Sequence, residues 1–180
     1  CADDQREEEN VCVDLPACPA GQFGIGQPFC DDCAVGFFSD QDGFTECLRC
    51  PAGTVALVTG SKGCASCPPG SYASPDGKAC VPCVAGTSSD GATICQKCAP
   101  GTFAPESGSA SCSKCGLGEI SGDGAESCTQ CIPGTVANSE STKCNGCDAG
   151  TATTDGISCV SCPAGTFSGP ASVDCTSCPD

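Results

Sequence analysis

Pairs of cysteines recur along the chain, and they are the residues whose spacing could support chemistry. Of the 23 cysteines in the chain, twenty form Cys-x-x-Cys pairs that repeat at nearly even intervals. The first cysteines of these pairs are Cys30, Cys47, Cys64, Cys80, Cys95, Cys112, Cys128, Cys144, Cys159 and Cys175. Such pairs can form disulfides, bind zinc or act as thiol redox centres.

Redox catalysis and zinc binding each meet an objection in this pattern. A thioredoxin-like pair acts once, at the start of one helix, whereas ten pairs occur here without a helical pattern. The spacing is similar to that of zinc ribbons, but the even intervals give no grouping into separate four-cysteine sites. Each such site would also add negative charge to a chain with 22 carboxylates and seven Lys and Arg residues. We predict disulfides, with no metal and no cofactor.

The composition predicts an oxidising compartment. Cysteine at this density is typical of a disulfide scaffold, and eight aromatic residues are too few for an ordinary core. Such disulfides persist in the secretory pathway and beyond it, so we expect an extracellular or cell-surface location. No segment is long and apolar enough to span a bilayer, and we expect any membrane anchor to lie outside this segment. Because Cys178 opens a new unit, we expect the array to continue beyond residue 180.

A glycine lies three residues after Cys18 and after the second cysteine of every pair but the last. These glycines are Gly21, Gly36, Gly53, Gly70, Gly86, Gly101, Gly118, Gly134, Gly150 and Gly165. Glycine at a fixed position indicates a positive φ or a close backbone approach, and we predict a tight turn there. Thr or Ser usually follows, and we favour strand propensity as the reason over a register of O-glycan sites. Five repeats also carry Asp-Gly, as at Asp123-Gly124, which favours a hairpin turn.

The repeat predicts a small disulfide-rich fold. We expect an elongated array of short two-stranded β-hairpins with little helix, because one hairpin alone is marginal and needs neighbours and covalent bridges. Residues 1–17 depart from the pattern and are predicted to form an acidic N-terminal segment or linker. Residues 18–180 are predicted to be tandem repeats of about 16 residues.

Two repeated schemes of disulfide pairing are compatible with the spacing. In an interleaved scheme, Cys33 would bond Cys50 and Cys47 would bond Cys64, which would tie neighbouring repeats together. In the flanking scheme, which we favour, the cysteines on either side of each hairpin bond each other, and Cys1 and Cys12 pair together or upstream. Its pairs are Cys18 with Cys30, Cys33 with Cys47, Cys50 with Cys64, Cys67 with Cys80, Cys83 with Cys95, Cys98 with Cys112, Cys115 with Cys128, Cys131 with Cys144, Cys147 with Cys159 and Cys162 with Cys175.

Catalysis and nucleic-acid binding are both disfavoured by the composition. The chain has no histidine, the usual general base, and we predict no catalytic residue. A formal net charge of −15 opposes binding to phosphates. Asp40, Asp42 and Gly43 partly match a calcium loop, but Arg49 lies where that loop needs Glu, and turn chemistry explains these residues better.

The string Cys-Pro-Ala-Gly-Thr-Val at Cys50–Val55, followed by a glycine-rich turn and Cys-x-x-Cys, resembles tandem ephrin-receptor-like cysteine-rich repeats. The resemblance covers residues 18–178. Such repeats occur in receptor ectodomains and in surface proteins of protists and algae. The chain is also similar, less closely, to the opening module of tumour-necrosis-factor-receptor cysteine-rich domains and to CxxC-rich variant surface proteins of parasitic protists. The resemblance implies an extended extracellular rod and no particular ligand.

Two functions are compatible with these features. The first is a structural rod, spacer or fibre subunit, whose partners are other copies or other chains of an extracellular assembly. The alternative is an ectodomain of a receptor, adhesin or variant surface protein that binds a protein partner. In that alternative, docking would use the aromatic residues of the first 50 positions, which could equally cap the array. They are Phe23, Phe29, Phe37, Phe38 and Phe44.

Overall fold

The protein is a series of hairpins in a computed structural model that describes residues 5–8, 11–14, 16–91 and 93–179. These residues form 22 strands in eleven two-stranded antiparallel sheets, and they contain no helix. The prediction of a small disulfide-rich array of hairpins with little helix is confirmed. None of the described segments is a helix that could cross a membrane.

Each sheet pairs two strands that are consecutive in the chain. The strands are β1 (Gln5–Glu8), β2 (Val11–Asp14), β3 (Gln22–Gly26), β4 (Phe29–Asp32), β5 (Phe37–Phe38), β6 (Leu48–Arg49), β7 (Thr54–Val55), β8 (Ala65–Ser66), β9 (Ser71–Ala73), β10 (Cys80–Pro82), β11 (Thr87–Ser88), β12 (Gln96–Lys97), β13 (Thr102–Phe103), β14 (Ser113–Lys114), β15 (Glu119–Ile120), β16 (Thr129–Gln130), β17 (Thr135–Ala137), β18 (Cys144–Gly146), β19 (Thr151–Ala152), β20 (Val160–Ser161), β21 (Thr166–Phe167) and β22 (Thr176–Ser177).

A tight turn connects the cysteine that begins each hairpin to the first strand of that hairpin. In the repeat that starts at Cys98, the amide of Thr102 donates to the carbonyl of Ala99 at 3.0 Å. Pro100 and Gly101 are the central residues of this turn, and Gly101 has a φ of 81°. A type II turn requires a positive φ at its second central residue, so the Pro-Gly pair sets the turn before any tertiary contact forms.

The two residues inside a Cys-x-x-Cys pair form the second strand of the hairpin. Ser113 and Lys114, between Cys112 and Cys115, are strand β14, and they lie opposite Phe103 and Thr102. Both side chains are exposed. This segment, which we call the joint, therefore completes one hairpin and leads the chain into the next.

Sulfur occupies much of the interior of these small units. Cys18, Cys33 and Cys98 are fully buried, and the largest buried side chains are mainly cysteines. The one hydrocarbon cluster among the described residues contains Val55, Ala73 and the half-cystines Cys67 and Cys80. Covalent bridges must therefore replace the large apolar core that these short hairpins lack.

The chain divides into two compact units. The first comprises Cys1–Pro82 with Asp90–Ile94, and the second comprises Cys83–Ser89 with Cys95–Asp180. In the first unit, β1 and β2 pair within the segment predicted to be an acidic linker. The β3–β4 pair has longer strands than the later hairpins and a register shift between Gly24 and Gly26. The division predicted between residues 17 and 18 stays a prediction.

Candidate functional site: the contact between successive repeats

Disulfides close each hairpin at the point where it meets its neighbours. All ten pairs of the flanking scheme, from Cys18–Cys30 to Cys162–Cys175, are bonded in the structure, with Cα–Cα distances of 5.6 to 5.8 Å. Distances in this range suit unstrained bridges. Each bridge closes a loop of 12 to 14 residues, and chain entropy predicts about 3 kcal/mol of stabilisation from each.

The cysteines that would bind zinc as thiolates in a zinc ribbon are bonded to each other as disulfides in this structure. Cys33 bonds Cys47 and Cys50 bonds Cys64, so the interleaved scheme is not the one present. Cys178 is exposed and has no disulfide partner among the described residues. The pairing predicted for Cys1 and Cys12 lies outside the described residues.

Backbone hydrogen bonds join successive hairpins within each of the two units. Between the repeats that start at Cys98 and Cys115, the amide of Gly101 donates to the carbonyl of Ser121 at 3.1 Å. In the opposite direction, the amide of Gly124 donates to the carbonyl of Cys98 at 2.8 Å. A third hydrogen bond, of 3.0 Å, runs from the amide of Ala104 to the carbonyl of Ala125. We call this set the inter-repeat contact, and at about 1 kcal/mol net per bond it contributes roughly 3 kcal/mol.

The same contact recurs in the first unit. Its glycine amides donate to the next repeat in Gly21 to Ser39 and Gly36 to Ala56, and its turn amides donate to the preceding repeat in Gly43 to Cys18 and Gly60 to Cys33, at 2.7 to 2.9 Å. Repeats in both units therefore use the same backbone donors and acceptors at this contact, largely independently of their side chains.

A small residue lies at the centre of the inter-repeat contact, and the sequence analysis missed it. The third residue after each repeat glycine is small in all ten repeats, namely Gly24, Ser39, Ala56, Ala73, Ser89, Ala104, Ser121, Ala137, Thr153 and Ser168. Ser121 is 7% exposed, and its Oγ donates to the carbonyl of Thr102 in the preceding repeat at 2.9 Å. Uniform small size at one position of the repeat was the signal that could have revealed it.

The repeat glycine also faces the repeat after next. A Cβ placed on Gly101 would overlap the carbonyl oxygen of Glu140, two repeats further along the chain. Gly134 stands in the same relation to Ala171. All ten repeat glycines have φ values between 75° and 91°. At Gly101 the two reasons given for glycine, a positive φ and a close approach, therefore both hold.

One family model matches part of this array. Residues 21–63 match the family described as "Tyrosine-protein kinase ephrin type A/B receptor-like". Bridges like those of that segment recur at similar spacing as far as Cys175, and the inter-repeat contact is also present in the second unit. Residues 21–63 are thus similar to ephrin-receptor-like repeats, and the chain as a whole is an array of tandem cysteine-rich hairpin repeats. No curated protein matches the chain at a significant level.

The location follows from the bridges and the family together. Disulfides at this density are stable in oxidising compartments, and ephrin-receptor-like repeats are characteristic of ectodomains. Both features point to an extracellular or secreted protein.

The hydroxyl that follows the glycine in most repeats of this chain has a hydrogen-bonding role. It donates to the carbonyl three residues earlier and so closes the type II turn a second time. The donors are Thr54, Ser71, Thr87, Thr102, Thr135, Thr151 and Thr166, at 2.6 to 2.8 Å. Strand propensity, the explanation we favoured, was therefore not the full reason for these residues, and the alternative of an O-glycan register stays untested.

Aspartates shape the turn at the far end of some hairpins. Hydrogen bonds from the amide of Ile157 at 2.9 Å and the hydroxyl of Thr153 at 2.8 Å hold the pKa of Asp155 below its usual value. At Asp76 the hydroxyl of Ser74, at 2.6 Å, is the main cause of a lowered pKa. The glycines that follow, Gly156 and Gly77, have positive φ. No group of three or more His, Cys, Asp or Glu side chains that could hold a metal is found in the described part of the chain.

The five phenylalanines predicted to dock a partner lie on two successive hairpins. Phe23 and Phe29 belong to the β3–β4 pair, where Phe29 is 62% exposed. Phe37 and Phe38 are strand β5, and Phe38 lies opposite Leu48. Phe44 lines a shallow depression with Leu48, Asp42 and Glu46. Leu48 is thus the strand partner of Phe38 and lines the same depression as Phe44, and the docking role stays a prediction.

Proposed function

We propose that these ephrin-receptor-like repeats are a structural spacer or fibre subunit in an extracellular assembly, without a catalytic role. Its partners are other copies of the chain or other chains of that assembly. The observation that carries the proposal is the recurrence of the inter-repeat contact. The donors and acceptors of Gly101, Ser121 and Gly124 are used on neighbouring repeats, and equivalent groups do the same in the first unit.

A spacer depends on the number of repeats and not on the identity of exposed side chains. The joints support this, because they are exposed and varied, with Leu48-Arg49, Gln96-Lys97 and Val160-Ser161 at equivalent places. The formal net charge of −15 favours solubility, because negatively charged surfaces that make no specific contact repel each other. Backbone hydrogen bonds and bridges are all that a further repeat needs in order to join the array.

Deleting or duplicating one repeat tests the spacer. Removing residues 98–114 joins Lys97 to Cys115 and leaves the Cys83–Cys95 and Cys115–Cys128 bridges intact. The chain is displayed on a cell surface through an anchor fused after residue 180, with a fluorescent tag at its other end. We measure the height of the tag above the cell membrane. The deletion should lower this height, and duplication of residues 98–114 should raise it by an equal amount.

The matched control keeps the repeat number and changes exposed side chains. Ser113→Gln with Lys114→Gln alters one joint, and a spacer should hold the tag at the wild-type height. Unchanged tag height in both the deletion and the duplication would contradict the proposal.

A second candidate function is a partner-binding ectodomain, and one observation favours it. Ile25 and Phe29, at the tip of the β3–β4 hairpin, are 48% and 62% exposed. Such apolar tips are common at protein interfaces. The double variant Ile25→Ser with Phe29→Ser should abolish retention of the secreted chain on its source cells if this tip docks. The control pair Leu117→Ser with Ile132→Ser, also strongly exposed, should leave retention unchanged.

A further inference from the structure

We propose that the array is a tension-bearing tether whose extension is limited by its disulfides. Tension applied along the chain would pass through the bridges and the joints and would bypass the hairpins. This inference deepens the proposed spacer function and rests on it. It follows from which cysteines are bonded and from how few residues separate one bridge from the next.

In each repeat, the disulfide is a covalent path that bypasses the hairpin, because it joins the cysteines at the two ends of that hairpin. Cys98, at the start of a hairpin, is bonded to Cys112, at its end, with a Cα–Cα distance of 5.6 Å across a sequence separation of 14. The next bridge begins at Cys115, only three residues on. The continuous covalent path therefore runs from bridge to joint to bridge. The hairpin lies on a parallel branch, which carries little load once the contacts between repeats have separated.

The bypass sets a maximum length. A joint of three residue steps spans at most about 11 Å when fully extended. Ten bridges of 5.6 to 5.8 Å and nine such joints give a limit of about 155 Å between Cys18 and Cys175. With every bridge reduced, the same segment could extend to about 570 Å. The bridges thus reduce the maximum length of this segment by nearly three quarters.

The groups of the inter-repeat contact lie mostly on the protected branch. Gly101, Ala104 and the turn residue Gly124 are all inside bridged loops, so separating two repeats breaks their hydrogen bonds without releasing chain. After the load is removed, each hairpin still holds its turn and its donors in place. The contact can therefore reform from folded parts.

The distribution of basic residues allows a direct biochemical test. Between Cys18 and Cys175, three exposed basic residues lie in joints, namely Arg49, Lys97 and Lys114. Three others lie inside bridged loops, namely Lys62, Lys78 and Lys143, and these are also exposed. Trypsin cleavage in a joint severs the load path, whereas cleavage in a bridged loop leaves it intact.

Two triple variants separate these outcomes. In Arg49→Gln, Lys97→Gln, Lys114→Gln, trypsin should cut only the bridged loops between Cys18 and Cys175. That segment should stay one covalent piece on a non-reducing gel and fall apart on a reducing gel. In the matched control, Lys62→Gln, Lys78→Gln, Lys143→Gln, it should fall into four pieces with or without reductant. If the joint variant separates without reductant, the bypass is wrong.

Stretching single molecules measures the limit itself. The whole chain is held by DNA handles at its two ends and pulled with and without a phosphine reductant. We expect the Cys18–Cys175 segment to stop at about 155 Å when oxidised and to reach about 570 Å when reduced, after the length of the flanking residues in each state is subtracted. Cys98→Ala with Cys112→Ala should add about 45 Å, which is one released loop.

The control for the stretching experiment is Gly101→Ala. It disturbs the inter-repeat contact but no bridge, so it should lower the force at which repeats separate and leave the final length unchanged. An oxidised chain that extends far past the limit set by its bridges and joints would overturn the bypass. The tag-height experiment tests the spacer function independently. The spacer proposal can be contradicted by the tag height while the measured extension limit is as expected. Conversely, the extension limit can be wrong while the tag height still follows the number of repeats.

Discussion

Gly101 and Gly165 occupy the same position in two repeats, yet only one of them is enclosed. Their φ values are 81° and 82°, and each lies at the second central place of a type II turn. A Cβ on Gly101 would overlap the carbonyl oxygen of Glu140, whereas a Cβ on Gly165 would meet no described residue within 4 Å other than its chain neighbours. The turn is thus the same in both repeats, and the packing is not.

This difference separates two requirements that the sequence presents as one. The turn needs glycine because other residues resist a positive φ, and this cost is local. The packing needs glycine because a backbone from the repeat after next lies where a side chain would be. Both positions have the first requirement, and of the two only Gly101 has the second.

The largest effect is expected from alanine at the enclosed glycine. Gly101→Ala should destabilise its repeat by about 3 kcal/mol, from backbone strain and from displacement of the Glu140 backbone. Gly165→Ala should cost about 1 kcal/mol, from strain alone. The two values are best measured by hydrogen exchange of each repeat, because an array need not unfold in one step.

Equal losses at the two sites would show that packing against Glu140 contributes nothing. A useful control is the Gly108→Ala variant. Gly108 has a φ of 83° and open space around its missing Cβ, so this change should behave like Gly165→Ala.

The small residue at the inter-repeat contact gives a second test of enclosure. Ser121 lies between two neighbours, because its Oγ donates to Thr102 at 2.9 Å and its amide donates to Ser141 at 3.0 Å. Ser121→Val should cost about 2 kcal/mol through overpacking and the lost hydrogen bond, and Ser121→Ala about 1 kcal/mol. Hydrogen exchange at the amides of Ser121 and Gly101 reports the opening of this contact.

The counterpart of Ser121 in the last complete repeat is Ser168, whose Oγ donates to the carbonyl of Thr151 at 2.8 Å. Ser168→Val should weaken the contact with the preceding repeat only. If Ser168→Val costs as much as Ser121→Val, the neighbour that follows Ser121 does not contribute to the effect.

Sequence reasoning went furthest where chemistry is local. The turn at Gly101 and the flanking cysteines follow from spacing and from the φ that glycine permits, because these features depend on a dozen neighbouring residues. The overlap with Glu140 depends on the rotation and rise between repeats, which no single repeat encodes. Ser121 was missed for the same reason, since its small size has meaning only once Thr102 and Ser141 are placed beside it.

The turn that faces an enclosed glycine offers a stabilising change. Ala171, whose carbonyl lies against Gly134, has a φ of 55°, although most equivalent positions hold glycine. Ala171→Gly should relieve left-handed strain and stabilise the last hairpin by about 0.5 kcal/mol, after the greater flexibility of the unfolded chain is subtracted. Hydrogen exchange at the amide of Ala171, which donates to Cys147 at 2.7 Å, is the measurement.

The reverse substitution elsewhere is the control for this change. Gly124 has a φ of 67°, and its amide donates to Cys98 at 2.8 Å, as that of Ala171 does to Cys147. Gly124→Ala should therefore destabilise by about 1 kcal/mol. A loss of stability in Ala171→Gly would mean that the methyl group packs favourably and that its strain is small.

The smallest effect is expected from acid, and it separates the hydroxyl of Thr153 from that of Ser121. Both occupy the small position of their repeats, but Thr153 bonds its own turn through Asp155, whereas Ser121 bonds the preceding repeat. Because the pKa of Asp155 is lower in the folded protein than in the unfolded chain, the ionised carboxylate stabilises the turn above pH about 3.9. That stabilisation is lost as the pH falls through the folded-state pKa.

Titration of the Asp155 carboxyl by NMR measures this directly. We expect a pKa below the ordinary value in the wild-type array and a rise toward it in Thr153→Val, which removes the hydroxyl donor but keeps the amide of Ile157. Asp155→Asn retains an oxygen acceptor for that amide and should abolish the acid dependence of exchange in this turn. The effect should be small because the carboxylate is exposed and screened by water. An unchanged pKa in Thr153→Val would assign the shift to the backbone donor alone, and the hydroxyl of Thr153 would then serve packing rather than the turn.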